Sequence, residues 1–209
     1  MINKIKEFGV IPVVVIDDAK DAKDLASALV KGGLPIAEVT FRTAAAKEAI
    51  SIMSMEFPNM LVGAGTVLSV DQVKAAVSAG AKFIVAPGFD PDVVDYCLEN
   101  NIPVFPGCVT PSEITQAYKR GLNVVKFFPA GEFGGLKMIK AISGPFPTMK
   151  FIPTGGVNAE NLKDYMLSDK ILACGGTWIA KKDLISNKEF DKIEALVKEA
   201  VSIVKEFRG

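Results

Sequence analysis

The chain has 209 residues, 49% hydrophobic and 23% charged, with 24 basic side chains balancing 24 acidic ones. Zero net charge offers no electrostatic pull toward nucleic acid or an anionic membrane, so neither is expected as a partner and small molecules become the expected ligands. Histidine is absent altogether, which excludes a Ser-His-Asp triad, an H-E-x-x-H zinc site and every mechanism that depends on imidazole.

Proton transfer is then left to carboxylates, lysine, tyrosine, cysteine or water. The three cysteines, Cys97, Cys108 and Cys174, are far apart and make no C-x-x-C pair, so they read as reduced thiols, with neither a disulfide framework nor a metal site. The N-terminal apolar run Gly9 to Ile16 contains Pro12 and stops at Asp17-Asp18, too short to cross a bilayer and followed by no cleavage-site pattern. A soluble, cytoplasmic protein is expected.

In chain order, a short helix over residues 2 to 8 precedes a strand over Val10 to Ile16. Strands are predicted next at Ile36 to Phe41, Leu61 to Thr66, Lys82 to Ala86, Pro103 to Phe105, Asn123 to Phe128, Lys150 to Thr154 and Ile171 to Cys174. Helical patterns alternate with them: Ala19 to Lys31, Ala44 to Phe57, Val70 to Ala79, Pro91 to Asn100, Pro111 to Arg120, Gly135 to Ile142, Ala159 to Leu167 and a last one near Lys188 to Phe207. Asp90, Thr110 and Asn158 sit where N-caps belong, and Gly32-Gly33, Gly80 and Gly121 sit where glycine ends a helix. Eight β-then-α units with no linker predict a single (β/α)₈ TIM-barrel domain over residues 1 to 209, with a short N-terminal helix. A doubly wound sheet would want a G-x-G-x-x-G turn after the first strand, and Ile16-Asp17-Asp18-Ala19 is not one.

The most telling residue is Lys126, set in the apolar strand Val124-Val125-Lys126-Phe127-Phe128. Burying an ammonium costs several kcal/mol unless it is paired, which favours the neutral amine, and a neutral amine beside a carbonyl forms a Schiff base. A strand-end lysine that snorkels its charge to water is the alternative from this segment alone. Catalytic groups of a barrel sit at the carboxyl ends of its strands. There, the two-residue period puts Ile36, Glu38, Thr40 and, if the strand persists, Arg42 on one face, and the third strand ends in Gly63-Ala64-Gly65-Thr66. Standing alone, Glu38 and Arg42 also read as a structural ion pair, or as a pair shared with Lys126, and Thr66 as a strand-end cap. Together with Lys126 they make a nucleophile, a carboxylate base, a guanidinium that grips a carboxylate and a hydroxyl, a complete set for a keto acid. Thr154-Gly155-Gly156 and Gly175-Gly176-Thr177 follow the last two strands, where barrels often hold phosphate on backbone N–H groups.

Further matching stretches extend along the chain: Ile11-Pro12-Val13-Val14, Glu38-Val39-Thr40-Phe41-Arg42-Thr43, Gly63 to Leu68, Ala86-Pro87-Gly88-Phe89, Pro106 to Glu113, Val125 to Ala130, Pro153 to Val157 and Gly175 to Trp178. In this order they closely resemble the class I 2-keto-3-deoxy-6-phosphogluconate (KDPG) aldolases, also active as 4-hydroxy-2-oxoglutarate aldolases. The resemblance implies that Lys126 is the Schiff-base lysine and Glu38 the general acid/base. It places Arg42, Thr66, Pro87 and Phe128 at the pyruvate end of the substrate, and Thr154, Gly155, Gly156, Gly175, Gly176 and Thr177 around its phosphate. It implies no cofactor, no metal and a homotrimer in the cytoplasm. Thr177 stands where serine is common and Phe41 where leucine is common. An aldolase for another 2-keto acid, such as the galactonate epimer, and a non-catalytic barrel binding a phosphorylated metabolite are the rival readings.

Overall fold

The computed structural model describes residues 1–208. A short helix, α1 (Ile2–Phe8), leads through Gly9, left-handed at φ 68°, into β1 (Val10–Val14). Then follow α2 (Ala22–Lys31), β2 (Ile36–Thr40), α3 (Ala46–Glu56), β3 (Leu61–Gly65), α4 (Val70–Ser78), β4 (Ile84–Val85), α5 (Pro91–Glu99), β5 (Val104–Phe105), α6 (Pro111–Lys119), β6 (Val124–Phe127) and α7 (Gly135–Ile142). The chain continues with β7 (Lys150–Pro153), α8 (Ala159–Met166), β8 (Cys174–Gly176), α9 (Lys182–Ser186) and α10 (Phe190–Arg208).

Every strand pair is parallel. Six strands form one curled sheet in the order β5-β4-β3-β2-β1-β8, and β6 and β7 form a second. Single parallel bridges connect the two, Gly107 to Lys126 at one side and Phe151 to Ile171 and Thr154 to Gly175 at the other. Val10 to Pro12 of β1 register with β8, and Val13 and Val14 with β2. Pro12, which has no N–H to give, therefore stands where β1 changes partner.

Strands buried on both faces read as continuous apolar runs, and helices cover them with one apolar stripe each. In α2 that stripe is Ala22, Leu25, Ala26, Ala28 and Leu29, spaced three and four apart. Phe83, Phe127 and Phe151 fill the interior, the last two edge to face with centroids 6.3 Å apart. α10 packs on α2 and α8. Among the described residues no helix is long and apolar enough to cross a membrane.

The strands differ from the expected ones mainly in extent. β4 and β5 are two residues each, because Pro87, Pro103 and Pro106 withhold the N–H groups that would lengthen the ladder. Their pairing still runs on through single bonds, Lys82 N–H to the Val62 carbonyl at 2.8 Å and Ala86 N–H to that of Phe105 at 3.3 Å. β8 begins at Cys174, where the apolar run Ile171 to Cys174 had suggested the strand would end. Gly175 and Gly176, expected as a loop, are strand residues: a Cβ on Gly175 would lie 2.2 Å from Thr154 Oγ1, so the backbones approach only because the side chain is missing. α9 was not expected at all; five residues are too few to show a helical period.

Candidate active site

Parity along β2 turns Glu38 inward, between Val13 of β1 and Gly63 of β3 in register. From β6, Lys126 reaches the same point: its Nζ donates to Glu38 Oε1 at 3.2 Å, and the two side chains are only 5% and 1% exposed. The place of Glu38 depends on a neighbouring glycine. A Cβ on Gly65 would sit 2.2 Å from Glu38 Oε1, so the glycine is the room into which the carboxylate folds. Lys126 Nζ also lies 5.3 Å from the centre of the Phe128 ring, at cation–π distance. No other ion pair among the described residues is this dry. Desolvating two opposite charges consumes much of what their attraction returns, so such a pair is a poor investment for stability alone and marks a site.

The residues expected around this pair fall into two groups. Thr66 follows β3 half-buried at φ 55°, a conformation that a β-branched residue rarely adopts. Pro87 is half-buried after β4, where its carbonyl would lie 2.0 Å from a Cβ on Gly107, so that loop closes against β5 only because residue 107 is glycine. Phe128 is half-buried beyond β6, and its peptide bond to Pro129 is cis. Arg42 is different. β2 stops at Thr40, so Arg42 is carried into an exposed turn and makes no ion pair or hydrogen bond among the described residues. The structural Glu38–Arg42 pair that parity allowed is not formed; Glu38 pairs with Lys126. The turn itself is anchored, since Thr43 Oγ1 donates to the Ile16 carbonyl.

A second cluster stands at the ends of β7 and β8. Thr154 is buried and its Oγ1 has no hydrogen-bond partner among the described residues. Gly155 and Gly156 are both left-handed, at φ 88° and 78°, which glycine alone adopts freely. Gly175 and Gly176 are buried in β8, Thr177 is exposed just past it, and Trp178 is half-buried with its Nε1 unpartnered. Sequence reasoning passed over Asn161, whose side chain bonds to this turn; the sign was its place three residues after the cap Asn158.

Cys108 is an inert group here. Burial first, and the Glu113 carboxylate second, push its thiol up to about 12. Lys137, Lys140 and Lys181 are exposed, and Lys182 pairs with Asp17 at 2.9 Å. Among the described residues no cluster of three or more acidic, cysteine or histidine side chains is placed to hold a metal. A cavity of about 740 Å³ opens at the other end, between α1, α8 and α10, and includes neither Glu38 nor Lys126.

A family model described as KDPG and KHG aldolase matches residues 1–196. The chain belongs to that family. A 2-dehydro-3-deoxy-phosphogluconate aldolase of Haemophilus influenzae is 43% identical over 205 residues, covering 98% of this chain and 97% of the relative. The KDPG aldolase of Legionella pneumophila, solved with pyruvate captured as a covalent carbinolamine, superposes with a TM-score of 0.92 at 38% identity, covering 96% and 98% of the two chains. The 2-keto-3-deoxy-6-phosphogluconate aldolase of Zymomonas mobilis, solved with 3-phosphoglycerate, gives 0.88 at 38% identity over 97% and 95%.

Proposed function

We propose that this protein is a class I aldolase that cleaves 2-keto-3-deoxy-6-phosphogluconate reversibly to pyruvate and glyceraldehyde 3-phosphate, and 4-hydroxy-2-oxoglutarate to pyruvate and glyoxylate. The observation that carries the reading is the buried 3.2 Å contact between an amine and a carboxylate, Lys126 and Glu38, in a fold whose relatives bear that activity by name. With the shared proton on Glu38, nucleophile and acid stand side by side. Lys126 Nζ attacks the C2 ketone and gives a carbinolamine; Glu38 protonates its hydroxyl, which leaves as water, and an iminium remains. The Glu38 carboxylate, directly or through a water, then takes the C4 hydroxyl proton. The C3–C4 bond breaks, its electron pair forms the enamine and neutralises the iminium nitrogen, and the aldehyde departs. Protonation at C3 and hydrolysis free pyruvate and the amine.

In this reading Arg42 grips the pyruvate carboxylate by two hydrogen bonds, which fits a guanidinium with no partner among the described residues, while Thr66, Pro87 and Phe128 line the reacting end. Thr154, Gly155, Gly156, Gly175, Gly176 and Thr177 take the phosphate, an assignment supported by the buried unpartnered Thr154 hydroxyl and the two left-handed glycines. We also take the two bridged sheets as one closed (β/α)₈ barrel and residues 1–209 as one domain, acting as a homotrimer in the cytoplasm; sedimentation would check the trimer. The first test incubates the protein with pyruvate and borohydride and maps the modified peptide by mass spectrometry. A reduced pyruvyl adduct on Lys126 is expected, and its absence under conditions that label a known Schiff-base enzyme would overturn the covalent mechanism.

A further inference from the structure

We infer that Asn161, on the first turn of α8, is a positioning residue that sets the substrate's phosphate subsite. The inference rests on the phosphorylated-substrate reading above.

The turn from β7 into α8 has to present N–H groups and keep its carbonyls away from an anion. Two contacts fix the carbonyls: that of Gly155 accepts from Gly131 N–H at 3.0 Å, and that of Gly156 accepts from Asn161 Nδ2 at 2.8 Å. The same Asn161 side chain accepts, through Oδ1, from Asn158 N–H at 2.9 Å. One amide therefore grips the turn on both sides. A peptide unit is planar and trans, with its C=O and N–H on opposite sides, so holding the Gly156 carbonyl also fixes where the Val157 N–H points. Neither Gly156 nor Val157 gives its N–H to a protein acceptor among the described residues. Nearby stands the buried Thr154 hydroxyl, a second polar group with no hydrogen-bond partner among the described residues.

The molecule contains its own control. α6 begins with the same capping arrangement, but there the third helical residue is Glu113, whose carboxylate accepts from the N–H groups of Val109 and Thr110, both at 2.9 Å. A carboxylate completes a cap fully. It cannot donate. In α8 an amide stands at the third position, so that one side chain both caps the helix and holds the Gly156 carbonyl of the left-handed Gly155-Gly156 turn. The donor atom, beyond what capping requires, is what the turn needs.

The test compares Asn161→Asp, which keeps the acceptor and removes the donor, with Asn161→Ser as a second variant should the first not fold. For each folded variant the KM for the phosphorylated substrate is divided by that for 4-hydroxy-2-oxoglutarate. The expected result is a rise in this ratio on the order of tenfold relative to the parent, the loss of about one charge-assisted hydrogen bond. For Asn161→Asp it should persist in about 1 M salt, where a plain charge repulsion is screened to within about 3 Å. Asn161→Gln, which retains donor and acceptor, should bring the ratio most of the way back to that of the parent. An unchanged ratio, or one that salt abolishes in Asn161→Asp and that does not change in Asn161→Ser, would overturn the assignment. A parent enzyme that shows no preference for the phosphorylated substrate would instead overturn the reading on which it rests.

Discussion

Glu38 owes its place to glycine. Because a Cβ at position 65 would stand 2.2 Å from the carboxylate oxygen and 2.6 Å from Cγ, Gly65→Ala should turn Glu38 away from Lys126 and lower kcat at least tenfold, measured on the phosphorylated substrate. On the proposed mechanism Glu38→Gln removes the proton carrier but leaves the amine, so kcat should fall by about 10²- to 10⁴-fold, with a slow adduct still trapped by borohydride. Thr66 is the reverse case. A threonine at φ 55° stores about 1–3 kcal/mol of backbone strain, more than the roughly 0.5–1 kcal/mol of chain entropy that a glycine adds. Thr66→Gly should therefore melt no lower than the parent while losing activity, a combination that separates a functional hydroxyl from a structural one.

The three caps read from the sequence, Asp90, Thr110 and Asn158, each accept from the N–H groups of the helix that follows. Thr110→Ala, which dismantles the reciprocal bonds with Glu113, should cost about 1 kcal/mol in chemical denaturation and leave the slope of the transition unchanged. Helices were legible because their signals are local: an apolar stripe, a cap three residues from its partner, a glycine such as Gly33, Gly80 or Gly121 with positive φ at the end. Strands of two residues carry no such period, and β8 is hidden because glycines chosen for a close approach look like a turn. The site divides in the same way. Lys126 and Glu38 stood out as polar residues in apolar strands, whereas the positive φ of Thr66 carries no residue signature, and the spacing of Asn161 from Asn158 announces a cap but not the second bond, to the Gly156 carbonyl. The missing Glu38–Arg42 contact is likewise unannounced, since parity holds only as long as the strand does.

Cys97, Cys108 and Cys174 are all buried, and burial holds each thiol above its ordinary 9.0. A group whose folded value is raised favours the folded state below its unfolded value and loses that contribution as pH climbs through the folded one. Thermal stability should accordingly decline between about pH 9 and the values of about 11 for Cys97 and 12 for Cys108, and a thiol reagent should label the native protein only as fast as it unfolds. The far end of the molecule is tied by Arg208 of α10, which donates to the carbonyls of Ile171, Leu172, Met166 and Lys6 and so holds α10 against α1 and the entry to β8. The proposed reacting pair, Lys126 and Glu38, has a different reach. Its members are 88 residues apart, on β2 of one sheet and β6 of the other. Gly121, exposed with open space around it, lies between them in the chain, so a break there divides amine from carboxylate without cutting an element. Two inert halves that regain a borohydride-trappable amine only on meeting would make this enzyme a split reporter for whatever partners are fused to them.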